Sequence, residues 1–310
     1  METEATVAKL ALLAELEPRK RAYLRLLTGY WALTKPDILV LIAIVVFVSF
    51  CLAVPATLQG FPSARLMRAM LGSVLVAGGA GALNQVIERR FDSQMRRTSR
   101  RPLVAGGMPS ARALWFGIFA SLGGIAVLAL VVNSLSSVVA GLTLVSYLAI
   151  YTPLKRKTPM CTLLGALPGA APPLIGWAAA SGNLNSEAWL LYSIVFLWQF
   201  PHFMAIAWMY REDYDRAGYR ILPQPDNRHR FVAMQTLIPA LLLVPISLMP
   251  ALLGDEAKIY FAGAAALGAA FLYYAARLAF LRSNAVARRL LLASVIYLPS
   301  LFVLMLLGRK

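Results

Sequence analysis

The chain has 310 residues, of which 59% are hydrophobic and only 14% are charged, and its formal net charge is +16. Soluble globular domains carry roughly 25% charged residues, so this composition excludes a soluble fold, which would need more charge on its surface. A net charge of +16 would suggest nucleic acid binding in a soluble protein. Here the basic residues lie in loops between apolar segments, so lipid orientation explains them and no nucleic acid partner is expected.

Residues 1–33 are predicted to form a cytoplasmic N-terminal tail. They include four acids, Glu2, Glu4, Glu15 and Glu17. A cleavable signal peptide starts with basic residues followed by an apolar stretch, and a transit peptide avoids acids. The segment is therefore interpreted as retained, and residues 34–310 as one transmembrane domain.

Nine apolar segments follow the tail, and each has a length that suits a spanning helix, which needs about 20 mostly apolar residues. A period-2 alternation typical of a membrane β-barrel does not recur. The sequence therefore predicts an all-α integral membrane protein with nine transmembrane helices. The segments are 38–54, 70–87, 113–132, 135–150, 162–180, 188–210, 232–253, 259–280 and 290–307.

The distribution of Lys and Arg predicts the orientation of these helices. With the N-terminus in the cytoplasm, 25 basic residues fall on the cytoplasmic side and 5 on the other. An excess of Lys and Arg is typical of cytoplasmic loops. The alternation of basic and non-basic loops also supports an odd number of helices. Six acids fall at the cytoplasmic ends of the second and sixth helices or in the loops that follow them, although the orientation rule makes no demand on Asp or Glu. They are Glu88, Asp92, Glu212, Asp213, Asp215 and Asp226.

The first polar cluster lies at the end of the second predicted helix. Asn84, Glu88 and Asp92 are spaced i, i+4 and i+8, so their oxygen-bearing side chains line one helix face. Mg²⁺ takes carboxylate oxygens and leaves positions open for substrate phosphates. The stripe therefore favours a Mg²⁺–diphosphate site over a solvated helix end, because an amide inside an apolar run is costly. Arg97 and Arg101 follow closely and are candidate phosphate ligands.

The second polar cluster closes the sixth predicted helix and is predicted to lie on the same face. It contains Arg211 and Asp213, and Asp213 is a candidate ligand of a second Mg²⁺. His202 lies within the apolar run about eleven residues earlier, or roughly 16 Å along a helix. A polar role is favoured for a histidine at that depth. Lys155 follows the fourth helix on the same face, and the prolines of the fifth helix predict kinks.

These motifs resemble those of the UbiA superfamily of intramembrane prenyltransferases, over nearly the whole chain from Thr34 onward. The last four stretches in the following list resemble those of the heme-farnesylating branch of that superfamily. The stretches are LTKP at 33–36, NxxxExxxD with RTxxRPL at 84–103, YTPLKR at 151–156, PGxxPPLIGW at 168–177, WQFPHF at 198–203 and YREDYxxxG at 210–218.

The resemblance implies nine helices around a central cavity that opens laterally to lipid. It implies Mg²⁺-dependent transfer of farnesyl from farnesyl diphosphate to the 2-vinyl group of heme B, with water adding to give heme O. It assigns catalytic metal and diphosphate binding to Asn84, Glu88 and Asp92, the second metal to Asp213, and neutralisation of diphosphate charge to Arg97, Arg101, Lys155 and Arg211. His202 is then predicted to contact heme.

The 25-to-5 split of basic residues, together with the six acids on the same side, predicts that the N-terminus and the active site are cytoplasmic. The resemblance implies a bacterial cell inner membrane. It also implies a receiving partner for the product, either a heme A synthase or an oxidase assembly protein. The chain departs from the motifs of the superfamily at two points. Glu88 occupies a position where many superfamily members have Asp, and the second cluster lacks a clean Asp-x3-Asp, since Asp213 and Asp215 are only two positions apart.

Two alternatives stay open from the sequence. One is another UbiA-type transferase that prenylates an aromatic or quinone precursor. The other is a non-catalytic transporter or assembly factor. A transporter usually places ionisable residues near the bilayer midplane and often shows internal repeats. In this chain the ionisable residues cluster at one surface, which favours the enzyme.

Overall fold

A computed structural model of the chain describes residues 26–55, 60–253 and 258–308. Within these ranges, nine helices are long and apolar enough to cross a membrane, which confirms the predicted count. We number them α1 to α9 in chain order. They are α1 Pro36–Ala53, α2 Ser63–Asp92, α3 Ser110–Val131, α4 Ser134–Leu154, α5 Cys161–Ser181, α6 Ser186–Met209, α7 Pro225–Leu253, α8 Lys258–Leu281 and α9 Asn284–Gly308.

Helix α2 extends well beyond its predicted apolar segment of 70–87. It has 30 residues, which correspond to about 45 Å at 1.5 Å per residue, whereas the hydrocarbon core of a bilayer is about 30 Å thick. The prediction from the apolar segment therefore missed the polar turns at both ends of the helix. The consequence for the site is that Asn84, Glu88 and Asp92 all belong to one continuous helix.

Helices α2 and α3 approach each other closely through glycines. A Cβ atom added to Gly79 would lie 2.7 Å from the carbonyl oxygen of Gly117, and one added to Gly124 would lie 2.6 Å from that of Gly72. Side chains at these positions would force the two backbones apart. Small residues allow this kind of close packing within a membrane. The contact fixes α2, which carries the first polar cluster, against its neighbour.

Two helices are irregular close to the polar face. Helix α4 changes to a π-helix over Ser146–Tyr151 before it ends at Leu154. The hydroxyl of Thr152 donates to the carbonyl of Tyr147 at 2.9 Å within this turn. Helix α5 is interrupted at Ala170 and Ala171, just before Pro172, as its prolines predicted. Such interruptions expose backbone carbonyls to neighbouring side chains.

The amide of Gln199 connects α6 to α5 close to the interruption of α5. Its Nε2 donates to the carbonyl of Ala166 at 3.2 Å and to that of Val195 at 3.1 Å. Gln199 lies on α6 and is only 3% exposed. Its hydrogen bond to Ala166 links α6 to the first part of α5. A buried amide can be tolerated there because it has partners.

The predicted N-terminal tail comprises residues 1–33, and its first 25 residues lie outside the described part of the chain. Residues 26–33 are helical. Leu33 is fully buried in a cluster with Ala82 and Leu103. Gln85 also donates to the carbonyl of Leu33 at 2.9 Å. The end of this segment is thus packed on α2, next to the first polar cluster.

Candidate active site

Three connecting segments meet at one face of the helical domain. They are the segments that follow α2, α4 and α6, and the last of these includes a short helix, Arg211–Arg216. The backbone N–H of Arg97 donates to Asp213, and that of Arg220 donates to the carbonyl of Lys155 at 2.7 Å. The structure therefore brings together the clusters that the sequence predicted to share a face.

The stripe on α2 is buried. Asn84 and Asp92 are each 1% exposed, and Glu88 is 6% exposed. Since the three residues are four positions apart, each step along the helix rotates by only about 40° and the side chains stay on one face. A solvated helix end would leave such groups accessible to water. The burial therefore argues against the simpler interpretation of the stripe as charged surface.

A cation from a different segment faces each member of the stripe. Lys35 Nζ lies 2.8 Å from Asn84 Oδ1, and Lys155 Nζ lies 2.8 Å from Glu88 Oε1. Arg101 forms an ion pair with Oδ2 of Asp92. Buried charges persist in proteins when they are paired in this way. The arrangement places three positive groups within reach of an anion bound beside the stripe.

The orientation of the Asn84 amide is fixed by the π-helical turn of α4. Asn84 Nδ2 donates to the hydroxyl oxygen of Thr152 at 3.2 Å. Thr152 is itself held by its bond to the Tyr147 carbonyl. With the amide nitrogen occupied, the amide oxygen points to Lys35, which is the orientation that a cation ligand requires.

Asp92 has one oxygen without a partner. The Thr98 hydroxyl donates to the Asp92 backbone carbonyl at 2.7 Å, and Arg101 pairs with Oδ2. Oδ1 is buried and has no hydrogen-bond partner. A buried unsatisfied carboxylate oxygen is unfavourable and calls for an explanation, such as an ion bound there in the working protein.

Lys35 was absent from the predicted site residues. Its backbone lies in the left-handed region, with φ 57° and ψ 67°, which is strained for a residue with a side chain. Burial lowers the pKa of the Lys35 ammonium from its ordinary value. The only available signal in the sequence was the Lys-Pro pair before α1, and it did not reveal that Lys35 would contact Asn84.

Lys155 shows the opposite electrostatic effect. Burial by itself would lower its pKa, but the negative forms of Tyr151 and Glu88 raise the pKa well above its ordinary value. The ammonium also lies 4.5 Å from the centre of the Tyr151 ring. Lys155 is therefore held as a cation beside Glu88.

Asp213 is the centre of the second cluster. Its Oδ2 accepts the Arg97 N–H at 3.1 Å, and its Oδ1 accepts Arg216 Nη1 at 3.1 Å. Asp213 is 7% exposed, whereas the side chain of Asp215 is 50% exposed and pairs with Arg228. The two acids point to different faces, as their spacing predicted, and only Asp213 joins the site.

The guanidinium of Arg97 lies over two tyrosine rings. Its Cζ is 5.4 Å from the Tyr210 ring centre and 5.7 Å from that of Tyr214, and Nη2 donates to the Tyr214 hydroxyl at 3.3 Å. These contacts hold Arg97 between the segments that follow α2 and α6. Asp92 ends α2 just before the first of these segments, and Asp213 belongs to the second.

Two predicted residues lie apart from these contacts. Arg211 donates to the Trp208 carbonyl at 2.8 Å and to Asn284 Oδ1 at 2.7 Å, so it points to the start of α9 rather than to the stripe. His202 lies deeper on α6, where Nδ1 is 2.7 Å from the Ser294 hydroxyl and the ring stacks on Trp198 with centroids 4.8 Å apart.

Over the ranges 26–55, 60–253 and 258–308, no group of three or more Asp, Glu, His or Cys side chains is arranged to hold a metal ion. The candidate donor set includes the Asn84 amide, which lies outside those residue types. Its carboxylates are paired with Lys155 and Arg101. An ion that binds the stripe has to replace or share these partners.

The UbiA prenyltransferase family model matches residues 27–302 of the chain. The chain belongs to this family. It is similar to a protoheme IX farnesyltransferase of Solibacter usitatus (strain Ellin6076), with 46% identity over 286 residues, which cover 90% of this chain and 98% of the relative. The family assignment agrees with the motifs on α2, α4 and α6.

Solved structures agree on the fold. A digeranylgeranylglyceryl phosphate synthase matches with a TM-score of 0.73 at 16% identity, covering 91% of this chain and 98% of the other. A UbiA homologue from Archaeoglobus fulgidus bound to GPP and Mg²⁺ matches with a TM-score of 0.60 at 14% identity, covering 89% and 99%. At these identities the likeness establishes the UbiA fold of this chain.

Proposed function

We propose that this family member transfers the farnesyl group of farnesyl diphosphate to the 2-vinyl group of heme B. Diphosphate leaves, and water adds to give the hydroxyethylfarnesyl group of heme O. The observation that carries the chemistry is the buried stripe of Asn84, Glu88 and Asp92, with a cation from a separate segment at each member. The similarity to the Solibacter protoheme IX farnesyltransferase supports the choice of donor and acceptor.

The residues of the stripe fit Mg²⁺. They offer amide and carboxylate oxygens, which this hard cation prefers, and Asp92 Oδ1 is buried without a partner. Asn84, Glu88 and Asp92 would hold the ion that accompanies the diphosphate, and Asp213 would serve a second one. When bound, Mg²⁺ supplies charge neutralisation to the leaving diphosphate.

The cations of this chain would bind the diphosphate oxygens. Lys35, Lys155, Arg101 and Arg97 lie around the stripe, and each donates N–H groups that suit phosphate. Because negative charge grows on the diphosphate as the C–O bond breaks, donors fixed in advance lower the barrier. Arg211 keeps its predicted role only if its side chain leaves Asn284, to which it donates at 2.7 Å.

The heme would bind deeper than the diphosphate, next to α6 and α9. His202 is the titratable polar group that the sequence places at that depth. Its Nδ1 is held by Ser294, which leaves Nε2 to contact the porphyrin. Trp198 stacks on the face of the imidazole ring and donates Nε1–H to the Ser294 carbonyl at 2.8 Å, so α6 and α9 together hold the ring.

The proposed location is the inner membrane of a bacterial cell, with the N-terminus and the active site at the cytoplasmic face. The 25-to-5 distribution of basic residues supports this orientation. The proposed partner that receives the product is a heme A synthase or an oxidase assembly protein. Heme O is large and apolar, so transfer within the bilayer suits such a partner.

A membrane assay tests the proposed function. Membranes that contain the expressed chain are supplied with heme B, farnesyl diphosphate and Mg²⁺, and the heme products are resolved by mass spectrometry. Formation of heme O, absent from control membranes, is expected. Prenylation of an added aromatic or quinone precursor in place of heme B would support the other UbiA-type transferase. Absence of any prenylated product would support a non-catalytic role.

A further inference from the structure

Tyr219 lies at the junction of the three segments that form the site. It follows the short helix Arg211–Arg216 and is 5% exposed. Its ring packs edge-on against Phe91 and Tyr214, with centroids 6.0 Å apart in both pairs. Phe91 directly precedes Asp92 on α2. The next residue, Arg220, donates its N–H to the Lys155 carbonyl at 2.7 Å. The phenol ring thus lies between Phe91, which precedes Asp92, and Tyr214.

The Tyr219 hydroxyl is buried without a hydrogen-bond partner. Other buried tyrosine hydroxyls in the described ranges are paired: Tyr297 with Ser247 at 2.7 Å, and Tyr260 with the Ser247 carbonyl at 2.6 Å. A buried hydroxyl that loses its water without gaining a partner destabilises the fold. Asp92 Oδ1 is unpartnered in the same way, one residue from Phe91. Two unsatisfied polar atoms in this region point to a missing polar ligand.

The protonation state of Tyr219 suits a donor. Burial raises the pKa of its hydroxyl, and the negative charge of Glu88 adds to that increase. The group therefore keeps its proton at neutral pH. A protonated phenol beside Lys155 and Arg101 complements a phosphate oxygen, which accepts hydrogen bonds but donates none when ionised.

We propose that the Tyr219 hydroxyl donates a hydrogen bond to a diphosphate oxygen of the bound prenyl donor. This inference rests on the proposed function, because it uses the same diphosphate site. It adds a neutral donor, from the segment after α6, to the cations Lys35, Lys155 and Arg101. The bond satisfies the hydroxyl only when the ligand is present, so Tyr219 lowers the stability of the free protein and strengthens ligand binding.

Binding of inorganic pyrophosphate, in the presence of Mg²⁺, to the purified full chain in detergent tests the proposal. Tyr219→Phe removes only the hydroxyl. We expect pyrophosphate affinity to fall about 10-fold, the usual size of one hydrogen bond to a charged group. The thermal midpoint of the ligand-free variant is expected to equal or exceed that of wild type. Tyr297→Phe is the matched control: it removes a paired hydroxyl, so the midpoint should fall while pyrophosphate affinity stays unchanged.

Three results would overturn the inference. If Tyr219→Phe binds pyrophosphate as tightly as wild type, the hydroxyl does not reach the ligand. If the variant loses thermal stability as Tyr297→Phe does, with unchanged affinity, the hydroxyl has a structural partner. If the wild-type chain itself does not bind Mg²⁺–pyrophosphate, the proposed diphosphate site fails as a whole. The first two results leave the proposed function intact, and the third does not.

Discussion

Lys155 Nζ lies 2.8 Å from Oε1 of Glu88, and this ion pair joins α2 to the segment that follows α4. The two side chains are 12% and 7% exposed, so the pair is largely shielded from water. The segment that follows α6 also contacts this residue, because the backbone N–H of Arg220 donates to the Lys155 carbonyl. Lys155 thus contacts both α2 and the segment that follows α6.

Loss of Lys155 should destabilise the protein because it leaves the Glu88 charge unpaired. Removing one partner of a buried pair commonly costs about 3 kcal/mol, whereas removing both can be nearly neutral. We expect Lys155→Met to lower the thermal midpoint in detergent clearly, and Lys155→Met combined with Glu88→Gln to recover much of the loss. Lys157→Met is the control, since Lys157 is exposed and near in sequence. Additive losses in the double variant would argue against a direct pair.

His202→Ala should weaken the use of heme B while pyrophosphate affinity stays close to wild type. His202 lies deeper in the membrane domain than the stripe, and it contacts Ser294 and Trp198 rather than the stripe residues. Ser294→Ala keeps the imidazole but removes the group that orients it, and a loss of about 10-fold is expected from such a supporting contact. Heme titration by absorbance and pyrophosphate binding measure the two effects separately. Equal losses in both would indicate a structural role for the histidine.

Reporter fusions test the proposed orientation. Fusions after Arg101 and after Arg220 should report a cytoplasmic position, because both residues belong to segments of the site face. A fusion near Asn183, which lies between α5 and α6, should report the opposite side. The physical reason is the strong retention of basic loops on the cytoplasmic side. The reverse pattern of reporter activity would place the active site on the other face of the membrane.

The nine helices, and the placement of Asn84, Glu88 and Asp92 on one face of α2, could be predicted from the sequence. Apolar length decides whether a helix spans a membrane, and a spacing of four decides which side chains share a face. Both rules use only local information. Helix ends were less well predicted, because α2 continues in polar turns to Asp92, where the apolar pattern had already stopped.

The rest of the site depends on contacts between distant segments. Lys35 reaches Asn84 across 49 positions, and its left-handed backbone has no signature in a Lys-Pro pair. Arg211 has the same charge as Arg101, but the nearest acceptors are Trp208 and Asn284, so it points elsewhere. Tyr219 packs against Phe91 on α2, although the two residues are far apart in the sequence.

The proposed metal site depends most directly on Asp92. Asp92→Asn keeps the size of the side chain but removes its charge, and an amide oxygen replaces a carboxylate poorly on Mg²⁺. The matched control is Asp215→Asn, which makes the same chemical change at a half-exposed acid paired with Arg228. Rates of both variants are compared per amount of folded protein, so that any difference in rate reflects the site.

The decisive measurement is the rate of heme O formation by purified Asp92→Asn at controlled Mg²⁺, compared with Asp215→Asn and wild type. We expect Asp92→Asn to lose about 10²–10³ in rate, the usual effect of removing one well-placed electrostatic contribution. Asp215→Asn should stay close to wild type, and chelation of Mg²⁺ should stop turnover in all three. A near-normal rate for Asp92→Asn would contradict the assignment of the stripe as a Mg²⁺–diphosphate site.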